Sequence, residues 1–195
     1  MNANQLSSQV MNLPNQITIA RLVVSIFVFV AIPLGYFNTA LVLFLVAAGT
    51  DWLDGFIARK YNLVTQLGRI LDPFADKILI CGVFIFLAAE SNSQIAAWMA
   101  VVVVGRELLV TALRSFLEQT GADFSAKMAG KLKMVFQCAA VVGSLMLLGD
   151  KSQQFADWLP WAVIISAWIA VLSTIYSGAG YVISAAKMMS APPTP

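Results

Sequence analysis

ALVLFLVAAGTDWLDGFIARK, residues 40–60, opens with ten apolar or small residues and closes with two aspartates, an arginine and a lysine. Its apolar part, Ala40 to Gly49, is about half of the ~20 helical residues needed to cross a hydrocarbon core. A helix that crosses here must therefore continue through Asp51, Asp54 and Arg59. At about 100° per residue, Asp51, Asp54 and Ala58 share one face, with Gly55 beside them. A second acidic pair, Asp72 and Asp76, is spaced i, i+4, which also puts both carboxylates on one face of any helix that includes both.

The whole chain matches the solvent that this segment implies. Of 195 residues, 59% are hydrophobic and 11% charged, and the mean hydropathy is +0.81. That balance excludes an ordinary water-soluble domain and points to a bilayer. The alternation of polar and apolar residues that marks a membrane β-barrel is absent. The chain has no histidine, so acid/base or metal chemistry falls to carboxylates, lysine, hydroxyls or thiols. Cys81 and Cys138 sit within apolar runs and read as small buried residues. Met1 to Asn12 lacks the basic region of a cleavable signal, so the first apolar run is expected to stay as a membrane helix.

Six helical spans are expected. The first runs from about Ile17 to Leu34, ended by Pro33 and Gly35; the others start near Thr39, Pro73, Ile95, Lys131 and Trp158. Polar breaks fall at Tyr61 to Gly68, Glu90 to Gln94, Gln119 to Ser125 and Gly149 to Asp157. The fold class is all-α: a polytopic membrane protein with six transmembrane helices. Leu6, Val10, Met11 and Leu13 suggest a short N-terminal interfacial helix. Residues 1–190 form one domain and 191–195 a disordered tail. Arg21, Arg59, Lys60, Arg69, Lys77, Arg114, Lys127, Lys131, Lys133 and Lys187 fall near one membrane face, with only Lys151 in the opposite connections. The excess of positive charge makes that face, and both termini, cytoplasmic.

Each aspartate would cost about 2.5–3.5 kcal/mol at the bilayer centre and less near the interface. Four facing carboxylates also repel one another unless cations lie between them. Their hard oxygens suit Mg²⁺ or Mn²⁺, and a pair of such ions would neutralise the cluster and hold phosphate groups. Taken singly, Asp72 before Pro73 also reads as a helix N-cap, and Asp51 or Asp54 as an ion-pair partner of Arg59 or Lys77. Neither explanation accounts for small residues at Gly55 and Ala58 on the same surface.

The run Asp51-Trp-Leu-Asp54-Gly55-Phe-Ile-Ala58-Arg59, followed by Gly68, Asp72 and Asp76, resembles the CDP-alcohol phosphatidyltransferase family at every defining position of its motif, DxxDGxxAR…GxxxDxxxD. Leu13-Pro-Asn-Gln-Ile-Thr18-Ile-Ala-Arg21, Gly105-Arg106-Glu107 through Arg114, Gly130-Lys131-Leu-Lys133-Met and Gln137 look like the branch that makes phosphatidylglycerol phosphate. The resemblance implies a homodimer with a cytoplasm-facing cavity in the bacterial inner membrane. It implies transfer of a phosphatidyl group from CDP-diacylglycerol to sn-glycerol 3-phosphate, with release of CMP. By position, Asp51, Asp54, Asp72 and Asp76 would bind two divalent metal ions, and Asp76 would also act as the catalytic base. Gly55, Ala58, Arg59, Thr65 and Gly68 would bind CDP-diacylglycerol. Arg106, Lys131 and Lys133 would bind the glycerol phosphate.

Arg106 interrupts an apolar stretch, but it would also serve as a structural partner of Glu107 or an aspartate. Lys131 and Lys133 equally satisfy the positive-inside rule, and Arg114 and Lys127 are weaker candidates. A synthase using inositol phosphate, serine or phosphatidylglycerol, or a metal-ion transporter, are the competing expectations. A transporter has no need of the spaced Gly55, Ala58, Arg59 and Gly68, and forms no CMP. Asp54→Asn or Asp72→Asn removes an anionic ligand at nearly constant size and is expected to abolish most CMP release while the protein still folds. Near-wild-type CMP release by either purified variant at limiting metal would remove that residue from the ligand set.

Overall fold

The computed structural model describes residues 13–60, 66–119, 128–150 and 157–189; side chains at 13–14, 51–60, 66–73, 116–119, 128–132 and 187–189 are outside the description. These residues form six helices and no strand. They are α1 (Leu13–Ala31), α2 (Phe37–Lys60), α3 (Gln66–Ala89), α4 (Ala97–Gln119), α5 (Met128–Gly149) and α6 (Leu159–Met189). At 1.5 Å per residue, they run from about 28 Å for α1 to about 46 Å for α6. The helices close a ring in the order α1, α2, α5, α6, α4, α3, and α3 also touches α5 and α2 across it.

The first turn shows how sequence sets an element's end. Tyr36 N–H donates to the Ala31 carbonyl and Gly35 N–H to the Ile32 carbonyl, both at 2.9 Å, and Gly35 has φ +76°. This crossed pair is a Schellman cap, whose left-handed position favours glycine. The helix proper ends at Ala31, three residues before the expected Leu34, and Pro33 and Gly35 lie in the capping turn that follows. At the α3–α4 turn, Ser144 of α5 donates its hydroxyl to the Ser93 carbonyl at 2.7 Å and ties the turn to the bundle.

The start of α3 differs from expectation. The helix begins at Gln66 and includes Pro73, so Asp72 lies within α3 rather than capping it. A proline there removes one intrahelical bond without ending the helix. The N-terminal segment before residue 13, Thr65, the Gln119–Ser125 break beyond Gln119, most of the Gly149–Asp157 break and the 191–195 tail lie outside the described residues.

Among the described residues, α6 alone passes as a membrane span by length and apolarity together, over Leu159–Ala186 with hydropathy 1.8. Asn15–Ala31, Phe37–Thr50 and Lys133–Gly149 are shorter apolar stretches. Charges interrupt α2 in its second half, α4 from its middle onward and α3 in its first half. The exterior is apolar all the same: Val23, Phe27, Val42, Leu45, Val101, Leu108, Val135, Ile165, Leu172 and Tyr176 all face outward. Water would not tolerate so much exposed apolar surface on a monomer.

The interior divides along the helix axes. One end holds the apolar core of Val28, Ile32, Phe44, Val83, Phe84, Leu87, Val103, Val141 and Leu145. Around that end stand Trp98, Trp158, Trp161 and Trp168, with the Trp98 and Trp168 rings 5.3 Å apart. Indoles favour the membrane interface because their ring is apolar and their N–H polar. At the other end the buried groups are polar: Asn15, Thr18, Arg21 and Ser25 of α1, Glu107 of α4, Lys133 and Gln137 of α5, and Thr174 and Ser177 of α6.

Small residues let the helices approach. A Cβ on Gly143 of α5 would come within 2.8 Å of Val163 Cγ2 on α6. Val163 is 1% exposed and has little rotamer freedom in a helix. Gly143→Ala is therefore expected to lower the thermal midpoint in detergent by overpacking of about 1–3 kcal/mol. Adding Val163→Ala should recover part of the loss, since it removes the opposing methyl groups. An unchanged midpoint for Gly143→Ala alone would show that α5 and α6 are not this close.

Candidate active site at the polar end of the bundle

The polar ends of α3, α4 and α5 enclose a cavity of about 180 Å³ lined by Asp76, Lys77, Ile80, Glu107, Arg114, Lys133, Met134 and Gln137. Asp76 and Lys133 were singled out from sequence, and the fold brings them to one cavity although 57 positions separate them (133 minus 76). Lys77, Glu107, Arg114 and Gln137 join them there. Cations outnumber carboxylates among these described side chains.

Asp76 is held from α1. Arg21, whose side chain has no exposed surface, donates from Nη1 to Asp76 Oδ1 at 2.6 Å, while Asp76 remains 30% exposed toward the cavity. Periodicity explains the placement: Asn15, Thr18, Arg21, Ser25, Val28 and Ile32 form one buried stripe, so α1 turns its polar half toward α3. Ser25 closes a local bond by donating to the Arg21 carbonyl at 2.8 Å. From sequence, Arg21 reads as a cytoplasmic positive charge at the end of a family-like run, without an assigned role. Its partner is 55 positions away, and no local pattern reveals such a pair.

Glu107 is the second buried carboxylate. Its Oε1 accepts from Arg106 Nη1 at 3.2 Å and from Lys133 Nζ, joining α4 to α5. Arg106 extends to α6, donating from Nη2 to Ser177 Oγ at 2.5 Å and placing its guanidinium 5.7 Å from the Tyr181 ring centroid. Gly178 makes room for that arm, since a Cβ there would stand 3.2 Å from Arg106 Cγ. Arg106 is absent from the cavity lining and reaches the cavity through Glu107. The pairing with Glu107 weighed from sequence is thus present, and Arg106 Nε remains buried without an acceptor among the described residues. Lys77 donates to Thr111 Oγ1, which donates to the Glu107 carbonyl at 2.6 Å; Gln137 Nε2 donates to Thr174 Oγ1 at 3.3 Å.

The remaining sequence candidates are located by backbone alone. Asp51, Asp54, Gly55, Ala58 and Arg59 lie in the second half of α2, and Gly68 and Asp72 in the first turns of α3. Lys131 is on the first turn of α5, and Thr65 lies outside the described residues. Asp76 is the one member of the acidic set whose side chain is described; among the described residues no group of three His, Cys, Asp or Glu side chains could hold a metal ion, and Asp76 brings one hard oxygen ligand.

Removing one partner of a buried ion pair strands the other and costs about 3–5 kcal/mol. Arg21→Met is expected to lower the thermal midpoint by several degrees, with Arg21→Lys keeping part of the difference. Equal midpoints for Arg21→Met and wild type in detergent would show that Arg21 does not hold Asp76.

The family model described as CDP-alcohol phosphatidyltransferase matches residues 11–176. A Bacillus subtilis CDP-diacylglycerol–glycerol-3-phosphate 3-phosphatidyltransferase is 38% identical over 186 residues, covering 87% of this chain and 93% of its own. The Rickettsia typhi protein of the same name is 39% identical over 176 residues, covering 87% and 94%. The Haemophilus influenzae protein of that name is 30% identical over 172 residues, covering 85% and 89%. Among solved structures, Mycobacterium tuberculosis phosphatidylinositol phosphate synthase with CDP-DAG bound superposes with a TM-score of 0.62 at 16% identity, covering 90% of this chain and 87% of that one. Its likeness concerns the fold. By the extent of the family match and the identity to these relatives, the chain belongs to the CDP-alcohol phosphatidyltransferase family.

Proposed function

We infer that the protein transfers the phosphatidyl group of CDP-diacylglycerol to sn-glycerol 3-phosphate, forming phosphatidylglycerol phosphate and CMP. The observation that carries this function is the cation-rich cavity beside Asp76, because this acceptor brings both a hydroxyl to be deprotonated and a phosphate to be held. The relatives' shared name supports the choice of acceptor.

The acceptor's 1-hydroxyl attacks the phosphorus that bears diacylglycerol; a new P–O bond forms, the P–O bond to CMP breaks, and CMP leaves. Asp76 takes the hydroxyl proton, with Arg21 fixing one of its oxygens and leaving the carboxylate open to the cavity. Lys133, aided by Lys131 and Arg106, holds the acceptor's phosphate; Lys77 and Arg114 add positive charge to the same cavity. Gly55 and Ala58 leave space for the nucleotide on α2, Arg59 bridges its phosphates, and Thr65 and Gly68 complete that side. Members of this family use divalent metal ions. Asp51, Asp54, Asp72 and Asp76 would hold two of them, Mg²⁺ or Mn²⁺, which would supply charge neutralisation at the diphosphate.

The six helices span the membrane, with the polar end and both ends of the chain on the cytoplasmic side of a bacterial inner membrane and the tryptophans at the far interface. The protein acts as a homodimer. The α4 charges Glu107 and Arg114 are supported by the cavity they line rather than by lipid.

A reconstituted assay should release CMP with glycerol 3-phosphate and divalent metal, and much less with inositol phosphate, serine or phosphatidylglycerol. Preference for another acceptor would overturn the branch, and ion movement without CMP would overturn the class. In the same assay, Arg106→Gln should lower acceptor kcat/KM roughly ten- to a hundredfold, the loss of about 1.5–3 kcal/mol in a charge-assisted contact, with CDP-diacylglycerol affected less. Equal losses for both substrates would assign Arg106 to the α4–α6 contact alone.

A further inference from the structure

We propose that Glu107, holding Arg106 on the same oxygen, is a positioning residue that pre-arranges Lys133 for the phosphate of the acceptor; the assignment rests on the acceptor reading above. Three observations support it. The carboxylate is buried with its side chain 7% exposed, and its Oε1 is shared by the two cations, which come from different helices. Glu107 also lines the cavity together with Asp76 and Lys133, so the ammonium is fixed at the cavity wall rather than in the lipid. Its own helix is anchored there by Thr111, which links the Glu107 carbonyl to Lys77 of α3.

Two effects of that carboxylate oppose each other. As an anion it weakens the attraction of the cavity for phosphate. As a shared acceptor it holds two like charges close together and orders the lysine's flexible four-carbon stem before the ligand arrives. Without it, Arg106 and Lys133 repel and the lysine is released into other rotamers. Ordering dominates because Lys133 is itself 93% buried and has no bulk water to steer an incoming anion to it. Glu107 therefore acts on selectivity through Lys133, without touching the acceptor.

The test compares full-length wild type, Glu107→Gln, Lys133→Met and the double variant in steady-state CMP release, varying each substrate in turn. Glu107→Gln should lower acceptor kcat/KM by about tenfold or more and leave the KM for CDP-diacylglycerol within about twofold. The double variant should be no worse than Lys133→Met, because the effect passes through that lysine. Equal losses for both substrates, or losses that multiply in the double variant, would overturn the assignment. If Glu107→Gln does not fold, Glu107→Asp, which retracts the charge by one methylene, must show the same selective defect.

A second readout uses inorganic phosphate as the probe and thermal midpoint as the signal. Phosphate should raise the midpoint of wild type and raise that of Glu107→Gln less. A larger rise in Glu107→Gln would make the carboxylate a competitor of the anion and overturn positioning, as would equal rises or none in either protein. This arm decides Glu107 even where wild type releases no CMP with glycerol 3-phosphate, the result that would instead sink the acceptor reading.

Discussion

Arg21 carries a guanidinium with no exposed surface, 2.6 Å from Asp76, and much of the polar half of the bundle obeys the constraint visible in that pair. A charge removed from water and lipid headgroups needs an opposite charge and hydrogen bonds within reach, or it costs several kcal/mol. The bundle meets that requirement by collecting its buried charges at one end and linking them across helices. Arg21 joins α1 to α3, and Glu107 joins α4 to α5 while Arg106 extends the contact to α6. The apolar half needs no such links and packs by shape, with Gly143 set against Val163 and Phe29 stacked on Phe86.

This division explains why hydropathy alone recognises one span among the described residues. Helix α6 contributes Thr174 and Ser177 to the polar end but no charge within Leu159–Ala186, so its apolarity is uninterrupted. The other helices carry the site and lose apolarity where they do so. Arg106 and Glu107 fall at the middle of α4 and Arg114 in its second half, and Lys133 falls in the first half of α5. Because successive helices run in opposite directions, these halves meet at the same end. The alternation of charged halves along the sequence is thus the one-dimensional trace of a single polar layer.

What the sequence made legible follows from the range over which each signal acts. The number of helices, the glycine cap at Gly35 and the Glu90 to Gln94 turn are local, and all were readable. Pro73 misled because proline is common in a first helical turn, whereas here α3 starts at Gln66 and runs through it. The Arg106–Glu107 contact was foreseen as one option because the residues are adjacent. The Arg21–Asp76 and Lys133–Glu107 pairs were not, since 55 and 26 positions separate their members and only the ring of helices brings them together. The lysine candidates had an equally good explanation in topology, and burial of Lys133 at 6% exposure is what distinguishes it from a solvated interfacial charge.

The arrangement of charge by helix then has a chemical consequence. The acidic motif belongs to the end of α2 and the start of α3, whereas Arg106, Arg114 and Lys133 belong to α4 and α5. A donor diphosphate that needs cations from solution is suited to the acidic side, and an acceptor phosphate that needs cations from the protein is suited to the basic side. Asp76 is the acidic-motif residue described at the boundary, on α3 but lining the cavity with Lys133. Under the proposed function, a base at that boundary reaches the hydroxyl of one substrate only when the phosphate of that substrate is already seated, so holding the acceptor's far end and orienting its reacting end become the same act. On this geometry an acceptor without a phosphate loses more than binding energy: its hydroxyl is no longer presented to Asp76, and the defect falls on kcat as well as KM.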